Sequence, residues 1–311
     1  MTAQWKLDQQ YADIMSDHPF GVALYRPLSD SVLKPGSVGY FDDYGSWNPI
    51  CDISDHESLN RKRLVAPAED LERAPIDNGI TWGPMLSSNT KSSKVELSAG
   101  IDPATGIPVT VSAVYSYSIE KNTGAILLTS PPITHDHYYH TTPFKKWCKV
   151  NAITLLRQWP EVKRHGLWVV TSTYATKKCA INMWTTRGRG FKVGFDAEAM
   201  GIGKVGPSGE WHRSKTDEGW GEYSSEGSTK LVVFFGGIRF NYTWMMGKDL
   251  KPTYGGGQLR VPVTEQIPSP EQGTTMLLDE EDEVGGEILA VLPDPDNNGS
   301  NILLECEEYI D

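Results

Sequence analysis

At residues 109–119, read as VTVSAVYSYSI, apolar and hydroxyl side chains alternate step by step. Val109, Val111, Ala113, Tyr115, Tyr117 and Ile119 fall on one face of a strand; Thr110, Ser112, Val114, Ser116 and Ser118 fall on the other. The hydroxyl face carries no Lys or Glu, although a strand that faces water usually carries such charges for solubility and against edge pairing. That second face therefore calls for a partner. The same character extends over residues 94–134: KVELSAGI, a turn at DPATG, the alternating strand, a turn at EKNTG, then AILLTSPPIT. Every turn is polar and every arm is nearly free of charge.

Upstream, residues 4–16 predict a short N-terminal helix of weak amphipathicity, and KPGSVGYFDDYGSWNPICDI reads as turn, strand, turn, strand. At Pro143 the period changes from two to 3.6. There PFKKWCKVNAITLLRQW aligns Phe144, Trp147, Val150 or Asn151, and Thr154 or Leu155 along one side. Lys145, Lys146, Lys149 and Arg157 fall largely away from that stripe, and Pro160 ends the helix. GLWVVTSTYATKKCAINMWTT follows, with two uncharged arms around Lys177 and Lys178. After a stretch rich in Gly and charge over 187–230, KLVVFFGGIRFNYTW closes the body as a buried strand with an alternating extension. Beyond Met246 the composition shifts, so the expected division is a body over 1–246, a linker over 247–275 and an acidic tail over 276–311. The tail holds apolar islands at 276–278, 288–292 and 302–304, each suited to docking on a body and too small to fold alone.

A length of 311 residues with 39% hydrophobic content supports one large core or two modest ones. No run of eighteen apolar residues occurs, and the start MTAQWKLDQQ has neither the basic end nor the apolar centre of a signal peptide, so a cytoplasmic location is expected. Cys51, Cys148, Cys179 and Cys306 form no C-x-x-C pair and read as reduced thiols. Sequons at Asn241 and Asn298 read as chance matches in that setting. Charge then changes the picture. Residues 1–250 hold 27 basic and 26 acidic side chains, whereas residues 251–311 hold 2 and 14. Within the body, residues 145–192 carry eleven Lys or Arg against Glu161 alone. A basic segment attached to an acidic tail points to an anionic partner that the tail mimics or excludes.

Candidate chemistry is sparse. HDHYYH at 135–140 sets His135 and His137 two residues apart with His140 near, but it reads as a polar loop before a helix, with no further ligand cluster to complete a metal shell. GIGKVG at 201–206 matches a dinucleotide pattern by letter, yet Pro207, Ser208 and Gly209 stand where a helix must start, so it reads as a hairpin tip. No catalytic motif is present, so neither an enzyme nor a cofactor is expected. Trp147, Trp159, Trp168 and Trp184 within the basic segment would suit nucleic-acid stacking, but they lie on core-like faces, and no nucleic-acid partner is expected. Two readings of the segment stay open: a solvated basic face, or a surface for an acidic membrane. The alternating strand leaves two as well. It is covered on both faces in a folded core, or it crosses a bilayer within a closed barrel, which takes about 9–11 residues of this pattern.

The order of elements resembles the N-terminal pore-forming domain of gasdermins in its shorter fungal form. ITLLRQWPEVKRHGLWVVTSTYATKKCAINM at 153–183 is similar to that family's helix, basic turn and strand. KVELSAGIDPATGIPVTVSAVYSYSI occupies the place of the first membrane hairpin, and TTRGRGFKVGF through KLVVFFGGIRF that of the second. The resemblance covers about residues 1–250. It implies an α+β fold in a soluble, autoinhibited form, a twisted antiparallel β-sheet with packed helices. It also implies proteolytic release of the C-terminal segment, binding to acidic phospholipid membranes, assembly into a homo-oligomer and insertion of two hairpins per subunit. Carried over by position, Lys145, Lys146, Lys149, Arg157, Lys163 and Arg164 become lipid contacts, and Val109, Val111, Tyr115, Tyr117, Phe191, Val193 and Phe195 become membrane-inserting residues. Lys251, Tyr254, Leu259 and Arg260 mark the region for the activating protease. The chain departs from the family in having only Lys6 as a basic residue of its first helix, and in a tail of about sixty residues that can act only by local docking or by charge. A second reading is a β-rich recognition module, such as a lectin or stress-associated binding protein, with GYFDDYGSWN and DEGWGEYSS as ligand loops; a third is an enzyme whose motif is not legible.

Overall fold

The computed structural model describes residues 3–95, 113–119, 123–184, 190–195, 212–214, 220–245, 287–295 and 300–309. In chain order the elements begin with α1 (Ala3–Ile14), β1 (Val22–Ser29), β2 (Ser37–Phe41), β3 (Trp47–Asp52), α2 (His56–Arg61), β4 (Asp77–Ile80), β5 (Met85–Leu86) and β6 (Thr90–Val95). Next come β7 (Ala113–Ile119), β8 (Gly124–Thr129), β9 (Ile133–His137), α3 (Thr142–Gln158), α4 (Val162–His165), β10 (Leu167–Thr176) and β11 (Lys178–Trp184). The chain closes with β12 (Gly190–Phe195), β13 (His212–Ser214), β14 (Trp220–Ser224), β15 (Leu231–Met245), β16 (Glu287–Pro293) and β17 (Asn301–Tyr309). The class is mixed α+β, and every strand ladder among the described residues is antiparallel.

Two lines of strands organise the sheets. β7, β8 and β9 follow one another along the chain, and β10, β11 and β12 return against them, pairing β9 with β10, β8 with β11 and β7 with β12. Each of these three ladders recruits further strands. The first belongs to a nine-stranded sheet with the path β16-β17-β15-β10-β2-β3, to which β1, β4 and β9 attach; the second has the order β14-β11-β8-β5, and the third β13-β12-β7-β6. Ser130 N–H donates to the Lys178 carbonyl at 2.9 Å and Thr176 Oγ1 to the Ser130 carbonyl at 2.5 Å, which ties the lines together where they pass from the first sheet to the second.

β10 is buried at every position, as its uncharged sequence LWVVTSTYAT requires of a central strand. β15 pairs with β10 along one edge through Phe240. Its other edge is shared: β1 covers the first part, from Leu231 to Phe235, and β17 takes over from Gly237. On the β10 edge Gly237 permits close approach, because a Cβ there would stand 2.3 Å from the Val169 carbonyl oxygen. α3 lies on one face of the sheet, with Phe144, Trp147, Cys148, Asn151, Ala152, Leu155 and Leu156 buried at helical spacing. Pro143 opens it and Trp159, before Pro160, closes it. Gly166 then turns the chain from α4 into β10 with φ +74°, a conformation open to glycine at little cost.

Two local expectations change. His135 to His137 belong to β9 and not to a loop, since the segment pairs with β10 on one side and β4 on the other. Its polar side chains concealed a strand that sits at mid-sheet. Trp220–Ser224 of DEGWGEYSS is likewise a strand, β14, paired along β11.

Candidate functional site

The feature that gathers charge, apolar surface and a shared strand edge is the junction between the acidic tail and the body. β17 runs antiparallel to β15 over nine residue pairs, from Gly237↔Tyr309 to Met245↔Asn301, and β16 covers its far side. Beyond Phe240 the tail strand is the sole partner of β15 among the described residues. Ile302, Leu304 and Cys306 are buried in the cluster that contains Phe144, Trp147, Cys148, Phe240 and Tyr242, while Leu289, Ala290 and Leu292 pack against it. Two of the expected apolar islands are therefore strands of the body's own sheet, and the island at 276–278 lies outside the described residues.

Lys145 marks this junction electrostatically. Its ammonium lies 2.5 Å from Glu287 of β16 and 2.5 Å from Glu308 of β17. Burial works against the charge of Lys145, but the hydrogen bonds it donates to Glu287 and Glu308 outweigh it and hold its pKa above the ordinary lysine value. Glu308 also accepts from Thr141 Oγ1 at 3.3 Å, and Glu305 accepts from Thr243 Oγ1 at 2.8 Å. At the end of β17, Tyr309 packs on Trp168 with ring centroids 4.9 Å apart. Burial and then Glu307 push its phenol up to about 12. Arg239 lies over the same tryptophan.

The other basic residues expected to contact lipid divide into separate groups. Lys146 pairs with Glu69, and Lys149 and Arg157 are exposed with no ion pair among the described residues. Lys163 and Arg164 sit on α4, where Arg164 meets Asp43 at 2.5 Å. Thus one helix contributes both a cation enclosed by the tail and cations that face water. Charge spacing along the sequence did not separate them.

The residues expected to enter the membrane are partly placed. Tyr115 and Tyr117 lie on β7, and Phe191, Val193 and Phe195 on β12; the ladder sets Tyr117 opposite Phe191 and Tyr115 opposite Val193. The two expected hairpins thereby contribute adjacent strands to one four-stranded sheet. Val109 and Val111 lie outside the described residues, as do Lys251, Tyr254, Leu259, Arg260 and the GIGKVG stretch. No helix among the described residues is long and apolar enough to cross a membrane.

Among the described residues no group of three or more His, Cys, Asp or Glu stands together as candidate metal ligands. His135 and His137 stack with ring centroids 4.3 Å apart, His135 stacks on Tyr174 at 4.2 Å, and His140 faces Glu72. All four cysteines are free and buried, and desolvation raises Cys51 and Cys179 to about 12 and Cys306 to about 11, which keeps those three thiols protonated at neutral pH.

Two features were missed in the sequence. One is the basic turn Arg61, Lys62, Arg63, visible as a short charge run but tied to α3 only by the fold. The other is a cavity of about 640 Å³ between α1, β1, α4 and the end of β17, lined in part by Phe41, Trp168, Phe235, Arg239 and Tyr309. No protein-family model and no curated protein matches the chain.

Proposed function

We propose that the chain is a gasdermin-like pore-forming protein whose β16–β17 hairpin is the restraint that proteolysis removes. The observation that carries this reading is the double role of the hairpin: it pairs with β15 over nine residues and encloses Lys145 between Glu287 and Glu308. A cut between 246 and 286 turns an intramolecular contact into a bimolecular one and so removes the high effective concentration that keeps the hairpin in place. Its departure uncovers a cation, an apolar flank of α3 and the edge of β15 together. The β13-β12-β7-β6 sheet supports the second half of the reading, since the candidate inserting segments of both hairpins are already hydrogen-bonded neighbours. Their described strands span 3 to 7 residues, so crossing a bilayer requires growth to about 9–11 residues each, with closure against neighbouring subunits to satisfy the edges. The partners on this reading are acidic phospholipid, an activating protease and further copies of the chain; the location is cytoplasmic before the cut and at the membrane after it.

The test is dye release from vesicles containing acidic lipid, before and after cleavage at a protease site engineered between residues 247 and 275. Release after the cut alone is the expected result. Full dye retention with cleavage complete overturns the proposal. The cavity beside the β2–β3 loop favours the recognition-module reading instead, because Phe41, Asp43 and Gly45 of the first aromatic loop line it. Glycan-array binding combined with dye retention after cleavage would select that alternative.

A further inference from the structure

Arg239 lines the cavity beside the end of β17, and it has no ion pair among the described residues. We propose that this cavity binds a small aromatic carboxylate, its charge held by Arg239 and its ring laid against Phe41, Trp168 and Tyr309. The volume of about 640 Å³ suits such an occupant, since small-molecule sites span about 300–1,000 Å³.

The strand register places the arginine. On β15, Arg239 stands between Trp168 of β10 and Glu307 of β17, its partners across the two ladders. The neighbouring rings form a continuous wall: Phe41 lies 5.8 Å from Phe235, Phe235 lies 5.1 Å from Trp168, and Trp168 lies 4.9 Å from Tyr309, centroid to centroid. Trp168 and Phe235 are buried, and Phe41 and Tyr309 are partly buried against them. The Arg239 guanidinium carbon sits 5.9 Å from the centroid of the Trp168 ring, so the cation is already held against an aromatic face. Glu307 is the carboxylate nearest in register, but its hydrogen bond goes to the Tyr309 phenol, which also meets Arg239. The Arg239 Nε is buried with no hydrogen-bond partner. Buried donors are rarely left unmatched, and an unmatched one on a cavity wall calls for an acceptor from a ligand.

The remaining charges of the cavity are largely matched within the protein. Arg26 meets Asp8 at 2.7 Å and Arg164 meets Asp43 at 2.5 Å, while Asp13 of α1 is exposed and screened by water. The unspent charge is therefore a guanidinium, which donates hydrogen bonds, accepts none, and fits the two oxygens of a carboxylate. The rings specify the rest of the ligand, because planar apolar groups pack best on aromatic faces in offset or edge-on contact. A sugar would compete for Asp8 and Asp43, and Arg26 and Arg164 already hold both. Tyr309 adds a consequence. It belongs to β17 of the tail, so a ligand in the cavity touches tail and body together, and its binding favours the seated hairpin.

The experiment is calorimetric titration of the full chain with 2-naphthoate, with its neutral counterpart 2-naphthalenemethanol and with decanoate. The expected result is one naphthoate per chain, bound at least about tenfold more tightly than either of the others. Arg239→Gln removes the preference for naphthoate over the neutral alcohol and leaves binding of the alcohol nearly unchanged. Ala12→Trp, which adds a ring from α1 into the cavity, lowers binding of both by at least about tenfold. Thermal unfolding checks that each variant folds, and Ala12→Trp carries the test if Arg239→Gln does not. In the parent chain, naphthoate at ten times its Kd should slow amide exchange along β17 by up to about tenfold. The proposal is overturned if naphthoate does not saturate a single site, if the alcohol or decanoate binds as tightly, or if the preference for charge survives Arg239→Gln. It is overturned equally if Ala12→Trp binds like the parent or if β17 exchange ignores the ligand. No vesicle enters these measurements, so the site and the pore reading stand or fall separately.

Discussion

Lys145 and Lys149 stand one turn apart on the same helix, yet they face different surroundings. Lys145 is enclosed by two carboxylates that arrive from the end of the chain, and Lys149 faces water. The difference teaches that the basic residues of α3 are divided by their surroundings: Lys145 pairs with the tail hairpin, Lys146 pairs with Glu69, and Lys149 and Arg157 are exposed. The largest perturbation of this contrast is removal of the hairpin itself. Ending the chain at 286 uncovers the cluster around Phe144, Trp147, Phe240 and Tyr242 and frees the 237–245 edge of β15. Each fully buried aliphatic side chain contributes about 1.5–3 kcal/mol, so losing Ile302, Leu303 and Leu304 costs about 5 kcal/mol or more in denaturant unfolding. A truncated chain as stable as the parent would break the claim that the tail belongs to the core.

A narrower probe leaves the hairpin present and weakens its grip. Leu304→Ala removes a fully buried side chain from that cluster and is expected to cost about 2–4 kcal/mol. If the change is absorbed within about 0.5 kcal/mol, then β17 rests on its backbone ladder and not on its apolar face. Engineered cleavage sites should also respond, because a looser hairpin leaves sooner after the cut.

Lys145→Gln tests the charge alone. It leaves Glu287 and Glu308 facing each other without a cation, at an expected cost of about 1–2 kcal/mol, given that the Lys145 side chain is 20% exposed and Glu287 is 59% exposed. Amide exchange along β17 should accelerate about tenfold, while β10 stays protected. The raised Lys145 pKa fixes the direction with pH: its contribution is complete below the unfolded lysine value and fades only as pH climbs through the higher folded value. Moving from neutral to mildly alkaline solution should therefore leave the tail in place. Tail release over that range would mean that another group holds the hairpin against the body.

How much of this was legible in the sequence depends on the kind of signal. α3 could be read from Pro143, the apolar spacing and Pro160, and β15 from its uncharged run. The tail islands advertised burial, but an island carries no address, so the pairing of 302–304 with the 237–245 edge, and of 288–292 with that strand in turn, became visible only in the ladders. β9 was hidden because His135, Asp136 and His137 look like loop residues, although pairing on both sides makes a strand of them. The division between Lys145 and Lys149 depends on which flank of a helix meets the tail, and spacing alone is silent about that. The basic turn at 61–63 was visible as charge, yet its place beside α3 depends on Asn151, which read simply as one more residue of the stripe.

The smallest expected effect is the sharpest control. Lys149→Gln removes a positive charge from the same helix, in the same chemical exchange as Lys145→Gln. Lys149 has no ion pair among the described residues, so stability should move by no more than about 0.5 kcal/mol and β17 exchange should stay unchanged. Added salt should therefore narrow the gap between the two variants by weakening the Lys145 contacts and leaving the Lys149 background alone. Equal losses for both variants would mean that the helix responds to its total charge. A loss confined to Lys145→Gln would mean that it responds to the carboxylates of the tail, which separates a local contact from a bulk charge effect.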